Sequence, residues 1–351
     1  MTSRDILEML AATGGGPVYA EARTVADRFF GRGVYVRGVV EFSNHCRKNC
    51  HYCGLRVANT GLERFRLEPE GILAAAALAR ELGAGTVVLQ SGEDLRYDRR
   101  VIGDLVRRIR DTLDVAVTLS LGDFDRDTYA YWRDCGADRY LLKMETFDEA
   151  LHARLRPGCT VADRLARVEM LQSLGYETGS GIIVGLPGMT DAILAEDIHR
   201  LSQLGLEMIA AGPFIPHPST PLAAPVDHAI EKSLLVTAVL RLLNPGANIP
   251  ATSALDALAA DGRTRGLDAG ANVVMPSVTP DAVRGGYSIY PGKNAAGRDV
   301  RDAVHGLFER LRNAGYTPVA DKGFSRIAGA CGGNADVMRV RSARKVLART
   351  D

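Results

Sequence analysis

Residues 42–54 read FSNHCRKNCHYCG and place Cys46, Cys50 and Cys53 in a C-x3-C-x2-C spacing. Three thiolates so close together can ligate three irons of a 4Fe–4S cluster, which leaves the fourth iron without a protein ligand. That iron can bind the amino and carboxylate groups of S-adenosylmethionine (SAM) and pass an electron to its sulfonium, which yields a 5′-deoxyadenosyl radical. The stretch therefore predicts a 4Fe–4S cluster and SAM as cofactors, with the three cysteines as metal ligands and catalytic residues.

The same cysteines match a zinc site or a disulfide framework poorly. Structural zinc sites close four ligands, often as two close Cys pairs or one pair with histidines at a set spacing, and no second Cys pair follows this stretch. A disulfide framework needs an even, dispersed set of cysteines in a small secreted chain. We interpret the scattered Cys135, Cys159 and Cys331 as ordinary thiols rather than as further ligands.

The composition is typical of a globular protein, because 46% of the 351 residues are hydrophobic and 24% are charged. The 43 basic and 42 acidic residues nearly balance, so no field of one sign suggests binding to nucleic acid or to a membrane surface. Charges interrupt every apolar run before it reaches the length of a membrane span, and the N-terminus MTSRDILE has no secretory h-region. We therefore expect a cytoplasmic protein, a location that suits an oxygen-sensitive cluster.

From about Val34 onward, short apolar runs alternate with amphipathic stretches. The runs predicted to form strands are 36–42, 86–89, 115–121, 139–144, 177–184, 208–211, 249–251 and 272–275. The stretches predicted to form helices between them are 68–82, 104–112, 125–135, 161–174, 191–204 and 231–243. Strands that alternate with helices indicate parallel βα units, and eight such units fit a (β/α)8 TIM-type barrel of the α/β class. An open barrel of six strands with a separate C-terminal module is the alternative.

Three parts are predicted along the chain. Residues 1–33 form an N-terminal extension of two amphipathic helices, and residues 34–293 form the barrel. Residues 294–351 form a helix near 301–314, followed by a basic, Gly-rich tail.

Polar residues and glycines follow the predicted strands, and in a barrel of this kind the chemistry takes place at the C-terminal ends of the strands. The cysteine stretch follows the first strand. The later strands end in QSGE (90–93), TLSLG (118–122), KMET (143–146), GLPG (185–188), PFIPHP (213–218) and Thr252-Ser253. These segments are therefore expected to surround one site.

The sequence resembles the HydE family, the radical-SAM maturases of FeFe-hydrogenase, over about residues 34–293. The strings that carry the resemblance are EFSNHCRKNCHYCGLR (41–56), VLQSGED (88–94), VTLSLG (117–122), ADRYLL (137–142), LRP (155–157), VGLPG (184–188), GPFIPHP (212–218), NIPAT (248–252), GANVVMP (270–276) and YPGK (290–293). The cysteine motif indicates only the superfamily, whereas the strings at 212–218 and 270–276 are more specific. Methylornithine synthase and biotin synthase are close relatives of that family.

The resemblance implies a set of SAM-binding residues, with Glu145 also counted as catalytic because its carboxylate suits the SAM ribose or ammonium. The implied cofactor-binding residues are Tyr52, Gln90, Ser91, Gly92, Ser120, Glu145, Arg164 and Ile183. Arg164 is expected to grip the SAM carboxylate, since a guanidinium can bind a carboxylate in a bidentate fork. Without the resemblance, Arg164 is better interpreted as a surface helix arginine, whereas QSGE could equally be a polar turn or a ligand-binding segment.

A second group of residues is implied to bind an anionic substrate that carries carboxylate or cyanide groups. The implied substrate-binding residues are Arg37, Arg139, Lys143, Thr252, Ser253, Met275, Tyr287 and Tyr290. Basic groups inside a barrel are costly unless they are paired or bind anions. A structural ion pair with Asp138 or another carboxylate is the alternative for Arg139, and His217 could contact substrate or cap its loop.

The resemblance implies that the deoxyadenosyl radical attacks an iron–cysteine complex carrying carbon monoxide and cyanide, the product of the partner maturase HydG, on the way to a di-iron precursor of the hydrogenase H-cluster. Ferredoxin or flavodoxin is the implied electron donor, and HydG and HydF are further candidate partners. Two alternatives remain: a mutase or thioether-forming enzyme for a small amino-acid-like substrate, and a non-catalytic iron–sulfur scaffold.

This chain departs from the family pattern at two places. Well-known members have arginine where Lys143 stands and often histidine at Met144, and lysine loses the planar fork of a guanidinium. Some relatives carry a second cluster on C-terminal cysteines, whereas the matching segment here, residues 293–298, has none. The first departure leaves the substrate open.

Overall fold

The computed structural model of the protein describes residues 1–11, 15–224, 230–294 and 299–327. The strands are β1 (Gly33–Ser43), β2 (Thr86–Ser91), β3 (Ala116–Ser120), β4 (Arg139–Leu141), β5 (Glu177–Val184), β6 (Met208–Pro213), β7 (Pro250–Ala251), β8 (Val273–Val274) and β9 (Thr317–Val319). The helices are α1 (Ser3–Ala11), α2 (Gly16–Phe30), α3 (Pro69–Glu81), α4 (Arg99–Leu113), α5 (Arg126–Asp134), α6 (Glu149–Leu155), α7 (Val161–Ser173), α8 (Asp191–Gln203), α9 (Ile230–Leu243), α10 (Ser253–Leu258), α11 (Gly262–Asp268), α12 (Asp281–Arg284) and α13 (Val300–Asn313).

The first eight strands form a parallel barrel in the order β6-β5-β4-β3-β2-β1-β8-β7. Ile209 donates to the Asn248 carbonyl at 3.0 Å and Asn248 donates to the Glu207 carbonyl at 2.8 Å, which joins β6 to the segment before β7. The (β/α)8 barrel prediction is therefore confirmed, and the open six-strand alternative is wrong. The strands have buried apolar residues on both faces because helices cover the barrel from outside, as in β1, whose last ten residues are buried.

Sequence patterns placed most elements within a few residues of their bounds. The strand predicted at 177–184 matches β5, and the helix predicted at 161–174 matches α7 to within one residue. The two N-terminal helices are present, and α1 buries Ile6, Met9 and Leu10 in the main core. The helix predicted at 104–112 begins five residues earlier, at Arg99. The strand β4 ends at Leu141 rather than at residue 144, for a reason that concerns the site.

The N-terminal ends of the strands, here called the lower end of the barrel, are covered by residues 320–327. The Lys322 carbonyl accepts hydrogen bonds from Arg139 at 2.7 Å and from Thr86 at 2.9 Å. The Gly323 carbonyl accepts from Asn248 at 2.9 Å, and the Ser325 amide donates to Glu177 at 2.6 Å. The first part of the predicted tail is thus an ordered cover, whereas residues 328–351, including Cys331, lie outside the described residues.

Within the ranges that the structure describes, no helix is long and apolar enough to cross a membrane.

Candidate active site

A cavity of about 370 Å³ lies inside the barrel and reaches from the cysteine loop at the upper end, where the strands have their C-terminal ends, down to Arg37. Most of the predicted site residues line this cavity. The predicted residues on its wall are Arg37, Tyr52, Cys53, Gln90, Ser91, Ser120, Lys143, Glu145, Arg164, Ile183, Thr252, Ser253, Met275 and Tyr290. The barrel therefore brings together segments that are more than two hundred residues apart in the sequence.

The cysteine loop lies between β1 and α3 and is held by backbone-directed contacts. Arg64 donates to the carbonyls of Leu55 at 2.9 Å and Arg56 at 2.8 Å. Gly92 is required beside it, because a Cβ there would lie 2.2 Å from the His45 carbonyl oxygen and 2.8 Å from the Cys46 Cβ. The loop conformation therefore depends on close backbone approach at Gly92 rather than on a side chain of that residue.

The three cysteines fit a cluster better than a single metal ion. Burial raises the pKa of the Cys46, Cys50 and Cys53 thiols, so their thiolates need nearby positive charge such as that of iron. The Glu93 amide donates to Cys46 Sγ at 3.4 Å, a contact that stabilises a thiolate. Among the described residues, no three His, Cys, Asp or Glu side chains are arranged to hold one metal ion. The residues present fit a 4Fe–4S cluster, because one loop supplies three free thiols and a backbone N–H is directed at one of them.

Glu145 has a left-handed backbone conformation with φ of 69°, which is uncommon for a residue with a side chain. The β4 ladder stops at Leu141 and resumes at Glu145, whose carbonyl accepts a hydrogen bond from the Ile183 amide at 3.0 Å. This interruption shortens β4 and turns the Glu145 side chain into the cavity. Strained backbone of this kind is common at functional sites, and it explains why the strand pattern extended too far.

A polar chain connects Glu145 to the cysteine loop. Glu145 Oε1 accepts from the Tyr52 hydroxyl at 3.0 Å, and Oε2 lies 3.0 Å from Lys143 Nζ. Arg156 donates to the Tyr52 hydroxyl at 3.3 Å. Burial alone would raise the pKa of Glu145, but Lys143, Arg156 and Arg164 together lower it. Glu145 is therefore held as a carboxylate that can accept hydrogen bonds from a cationic or hydroxyl-bearing ligand.

Asp123 is surrounded by basic groups and lies next to the polar network of Glu145, Tyr52 and Arg156. Arg164 contacts Asp123 Oδ1, while Lys48 lies 3.2 Å and Arg156 3.7 Å from Oδ2. Burial opposes ionisation of Asp123, yet Arg164, Arg156, Lys48 and Arg167 lower its pKa to about 2. Since four cations share this carboxylate, the wall has surplus positive charge and suits a ligand that carries a carboxylate of its own.

The strand-two and strand-three residues form the side of the cavity next to Glu145. Gln90 Nε2 donates to Ser120 Oγ at 3.4 Å, and Ser91 Oγ donates to the Gly92 carbonyl at 2.6 Å. Ile183 adds an apolar surface from β5. This combination of amide, hydroxyl and apolar groups fits the amino-acid and adenosine parts of SAM.

The opposite wall is made by the ends of β7 and β8 and the segment after them. Thr252 Oγ1 is buried without a hydrogen-bond partner among the described residues, and Ser253 Oγ lies 2.7 Å from the Tyr290 hydroxyl. Lys293 Nζ donates to Glu41 Oε1 at 2.9 Å, and both side chains are buried. An unpartnered buried hydroxyl is costly, so this wall is built to meet a polar ligand.

Arg37 and Arg139 differ although both are buried basic groups of the barrel interior. Arg37 lines the lower part of the cavity, and its Nε has no hydrogen-bond partner among the described residues. Burial, with the nearby Arg139 charge, lowers the pKa of Arg37 to about 9. Arg139 does not line the cavity, since its guanidinium contacts Glu177, Thr86 and the Lys322 carbonyl.

The contacts of Arg139 fit the structural ion pair that is its alternative interpretation, with Glu177 as the carboxylate, rather than a substrate contact. Tyr287 is also off the cavity wall, buried near Glu41 and Cys53. His217 has loop contacts, because its Nδ1 accepts from the Ser219 amide at 3.1 Å and its ring lies against Gly54.

Several cavity-side residues were missed from the sequence, and four of them are polar or charged groups named here. Lys293 and Thr118 line the cavity, whereas Arg156 and Asp123 form its polar surroundings. Lys293, Arg156 and Thr118 stand inside the strings that carry the family resemblance, so the signal was present. A pairing such as Lys293 with Glu41, 252 residues apart in the chain, has no local pattern that would reveal it.

An eight-stranded parallel barrel whose first strand leads into three closely spaced cysteines, beside a cavity with a carboxylate and surplus cations, defines the class of radical SAM enzymes. The model of the Radical SAM superfamily matches residues 40–201 of this chain.

Comparison with known relatives identifies the family within this superfamily. The chain is 45% identical to the FeFe-hydrogenase maturase subunit HydE of Thermotoga maritima, over 84% of this chain and 89% of that protein. It is 29% identical to 3-methylornithine synthase of Methanosarcina barkeri, over 93% and 92% of the two chains. A crystal structure of methylornithine synthase matches with a TM-score of 0.80 at 28% identity and covers 91% of this chain and 94% of that one. The chain belongs to the HydE family of radical SAM enzymes, and its cofactors are a 4Fe–4S cluster and SAM.

Proposed function

We propose that this protein uses radical SAM chemistry to convert a sulfur-containing iron–cysteine complex bearing carbon monoxide and cyanide, as a step in assembly of the FeFe-hydrogenase H-cluster. The observation that carries the proposal is the cavity itself. It joins the cysteine loop to a wall with Arg37, Lys293 and Thr252, which suits an anionic substrate. The 45% identity to a HydE protein over most of both chains supports the same reaction.

Cys46, Cys50 and Cys53 would ligate the cluster, and the cavity beside them would hold SAM. When bound, the two cofactors supply a 5′-deoxyadenosyl radical. Glu145 would accept a hydrogen bond from the SAM ribose or ammonium, with Tyr52 fixing the carboxylate at 3.0 Å. Gln90, Ser91, Gly92, Ser120 and Ile183 would line the rest of the SAM site.

Arg164 would bind the SAM carboxylate. Its Nε donates to the Lys143 carbonyl at 2.8 Å, and Asp123 holds its other side, so the guanidinium is oriented before a ligand arrives. A group held in advance loses little conformational entropy on binding. Asp123 and Arg156 would thus act as positioning residues for the SAM site.

The substrate would occupy the part of the cavity between Arg37 and the wall formed by Thr252, Ser253, Met275 and Tyr290. Thr252 Oγ1 and Arg37 Nε are buried groups that need polar partners, and an anionic complex with cyanide groups would supply them. Lys143 would contribute charge from the SAM side. Enclosure in the barrel would exclude water from the radical, which is the main protection this scaffold can give.

The proposed partners are an electron carrier and two other maturases. An external one-electron carrier, ferredoxin or flavodoxin, would reduce the cluster, and the maturases HydG and HydF would precede and follow this enzyme. The oxygen sensitivity of such a cluster favours a cytoplasmic location.

A second candidate is a radical SAM mutase for a small amino-acid-like substrate. The match of this chain to methylornithine synthase over nearly its whole length favours that candidate, as does Lys143, which pairs with Glu145 at 3.0 Å instead of offering a planar fork. Its substrate would need a carboxylate contact, which Arg37 or Lys293 could provide.

An anaerobic turnover assay separates the two candidates. Reconstituted protein, dithionite and SAM are incubated with and without the iron–cysteine carbonyl–cyanide complex, and deoxyadenosine and adenosylated products are quantified by mass spectrometry. SAM consumption that depends on the complex supports the proposal. Slow cleavage that the complex does not change would contradict it and favour a small organic substrate, and no cleavage with an intact cluster would favour a scaffold.

A further inference from the structure

Leu95 is an apolar side chain that the fold leaves in water beside the cysteine loop. It is 57% exposed, and it is one of three large hydrophobic residues exposed in the described part of the chain, together with Val57 at 52% and Phe324. Leu95 lines a surface recess that also contains Cys46, Arg47, Arg66 and Arg96, here called the Cys46 recess. Val57 belongs to the loop that follows Cys53. Exposed apolar groups of this size, placed together with charged ones, are typical of contact surfaces.

The charges around the Cys46 recess are arranged in two layers. The arginines lie outside, with 48% of the Arg47 side chain and 26% of the Arg66 side chain exposed. Their partners Glu93 and Asp94 lie beneath, each with 3% of the side chain exposed. Arg96 is exposed as well. The recess therefore presents positive charge to solvent, although the whole chain carries a formal net charge of only +1.

The recess is prebuilt and is joined directly to the first cluster cysteine. Asp94 accepts from Arg66 at 2.7 and 3.0 Å, from Ser43 at 2.6 Å and from the Arg96 amide at 3.1 Å. The backbone amide of Glu93, the residue before Asp94, donates a hydrogen bond to Cys46 Sγ at 3.4 Å. A partner seated on Leu95 and Arg96 would therefore contact a rigid surface that leads to the Cys46 thiolate.

We propose that the Cys46 recess is the docking site of the one-electron donor, and that this donor is a small acidic electron-carrier protein. The proposal rests on the proposed function, since it takes Cys46 as a cluster ligand. An apolar centre at Leu95 with an arginine rim matches the small interfaces of transient electron-transfer complexes, and the charge would steer an acidic partner to the recess. The recess lies outside the enclosed cavity, so the donor and the substrate use separate surfaces.

Stopped-flow reduction of the reconstituted protein tests the proposal, with an acidic 4Fe–4S ferredoxin and dithionite as parallel reductants. The readouts are the absorbance change of the cluster and, separately, the affinity for the oxidised ferredoxin measured by calorimetry. The variants are Arg96→Glu and Leu95→Ser. The control is Arg28→Glu, another exposed arginine, near the end of α2 just before β1 and therefore at the lower end of the barrel.

At low ionic strength, Arg96→Glu is expected to slow reduction by ferredoxin about tenfold, and salt should shrink the difference. Leu95→Ser should slow it severalfold at either salt concentration, whereas dithionite should reduce all variants alike. Equal ferredoxin rates for Arg96→Glu and Arg28→Glu would overturn the proposal, as would parallel slowing with dithionite. Failure of the proposed function is a different result, namely deoxyadenosine formation by dithionite-reduced wild-type protein that is absent or that the iron–cysteine complex does not increase.

Discussion

At the lower end of the barrel Arg139, Glu177 and the Lys322 carbonyl satisfy one another, whereas at the upper end Thr252 and Arg156 keep buried polar atoms without a hydrogen-bond partner among the described residues. Two non-glycine residues of the described part have a positive φ, Asp114 before β3 with 44° and Glu145 at the upper end with 69°, and of these Glu145 lines the cavity. At the lower end each nitrogen of the Arg139 guanidinium thus has a partner within the protein, whereas the upper end holds groups that can meet a ligand. Buried charge alone does not distinguish Arg37 from Arg139, whereas position on the cavity wall and the contacts of each guanidinium do.

The largest effect is expected from removal of a cluster ligand. Cys46→Ala should abolish cluster binding and SAM cleavage, because two thiolates cannot hold the three irons that need protein ligands. Iron and sulfide analysis and deoxyadenosine quantification check this, with Cys135→Ala, a buried cysteine at the end of α5 that lies against Gly103 of α4, as the control. Full SAM cleavage by Cys46→Ala would refute the assignment of the cluster.

Substitutions at the lower end should lower the free energy of unfolding. Arg139→Met should lower the free energy of unfolding by about 3–5 kcal/mol, because it leaves the Glu177 carboxylate buried without its partner. Arg139→Lys, which keeps the charge, should lose less. Urea unfolding followed by circular dichroism gives the values, and Arg301→Met, which breaks an exposed ion pair with Glu81, should change little. Equal losses in Arg139→Met and Arg301→Met would show that the lower end does not depend on this pair.

Substitutions at the upper end should weaken the binding of SAM. Glu145→Gln keeps the size of the side chain but removes its charge, so the affinity for SAM should fall about 10- to 100-fold. Equilibrium binding of SAM to the reconstituted protein measures the change, and Glu63→Gln on the exposed part of the cysteine loop is the matched control. Unchanged affinity in Glu145→Gln would remove Glu145 from the SAM site.

A smaller effect on stability is expected from Asp197, which holds the backbone two residues after Glu145. Asp197 on α8 accepts the Phe147 amide at 2.6 Å, and burial raises the pKa of its carboxyl to about 7 from an ordinary value of 3.8. Since the folded state binds this proton more tightly than the unfolded state, stability should fall as the pH rises from about 4 towards 7. The loss between pH 5 and pH 7 should be roughly 2 kcal/mol.

Asp197→Asn should remove that loss, because the amide does not titrate in this range. Urea midpoints of both proteins at pH 5 and pH 7 test the prediction. Parallel pH dependence in the wild type and the variant would mean that Asp197 is already ionised in the folded protein.

The sequence revealed those parts of the fold and site that depend on local patterns. Alternation of apolar runs and amphipathic stretches predicted the barrel, and the cysteine spacing predicted the cluster loop. The left-handed backbone at Glu145 was not predictable, because glutamate rarely adopts it and a strand pattern continues through it.

Contacts between residues far apart in the sequence could not be predicted either. Arg139 and Lys322 are 183 residues apart, and nothing near Arg139 indicates that its guanidinium would be occupied by the C-terminal segment. A basic residue on an inward-facing strand position has the same local pattern whether it binds a ligand or a carbonyl. Only the folded arrangement separates Arg139 from Arg37.

The central claim, that chemistry belongs to the upper end and stability to the lower end, is tested most directly by one rate. Deoxyadenosine formation per folded molecule, in the presence of the iron–cysteine carbonyl–cyanide complex, is measured for the wild type, Arg139→Met and Glu145→Gln at a temperature where all three are folded. Arg139→Met is expected within about twofold of the wild type, and Glu145→Gln at least about tenfold lower. A folded Arg139→Met protein that loses as much activity as Glu145→Gln would contradict the claim.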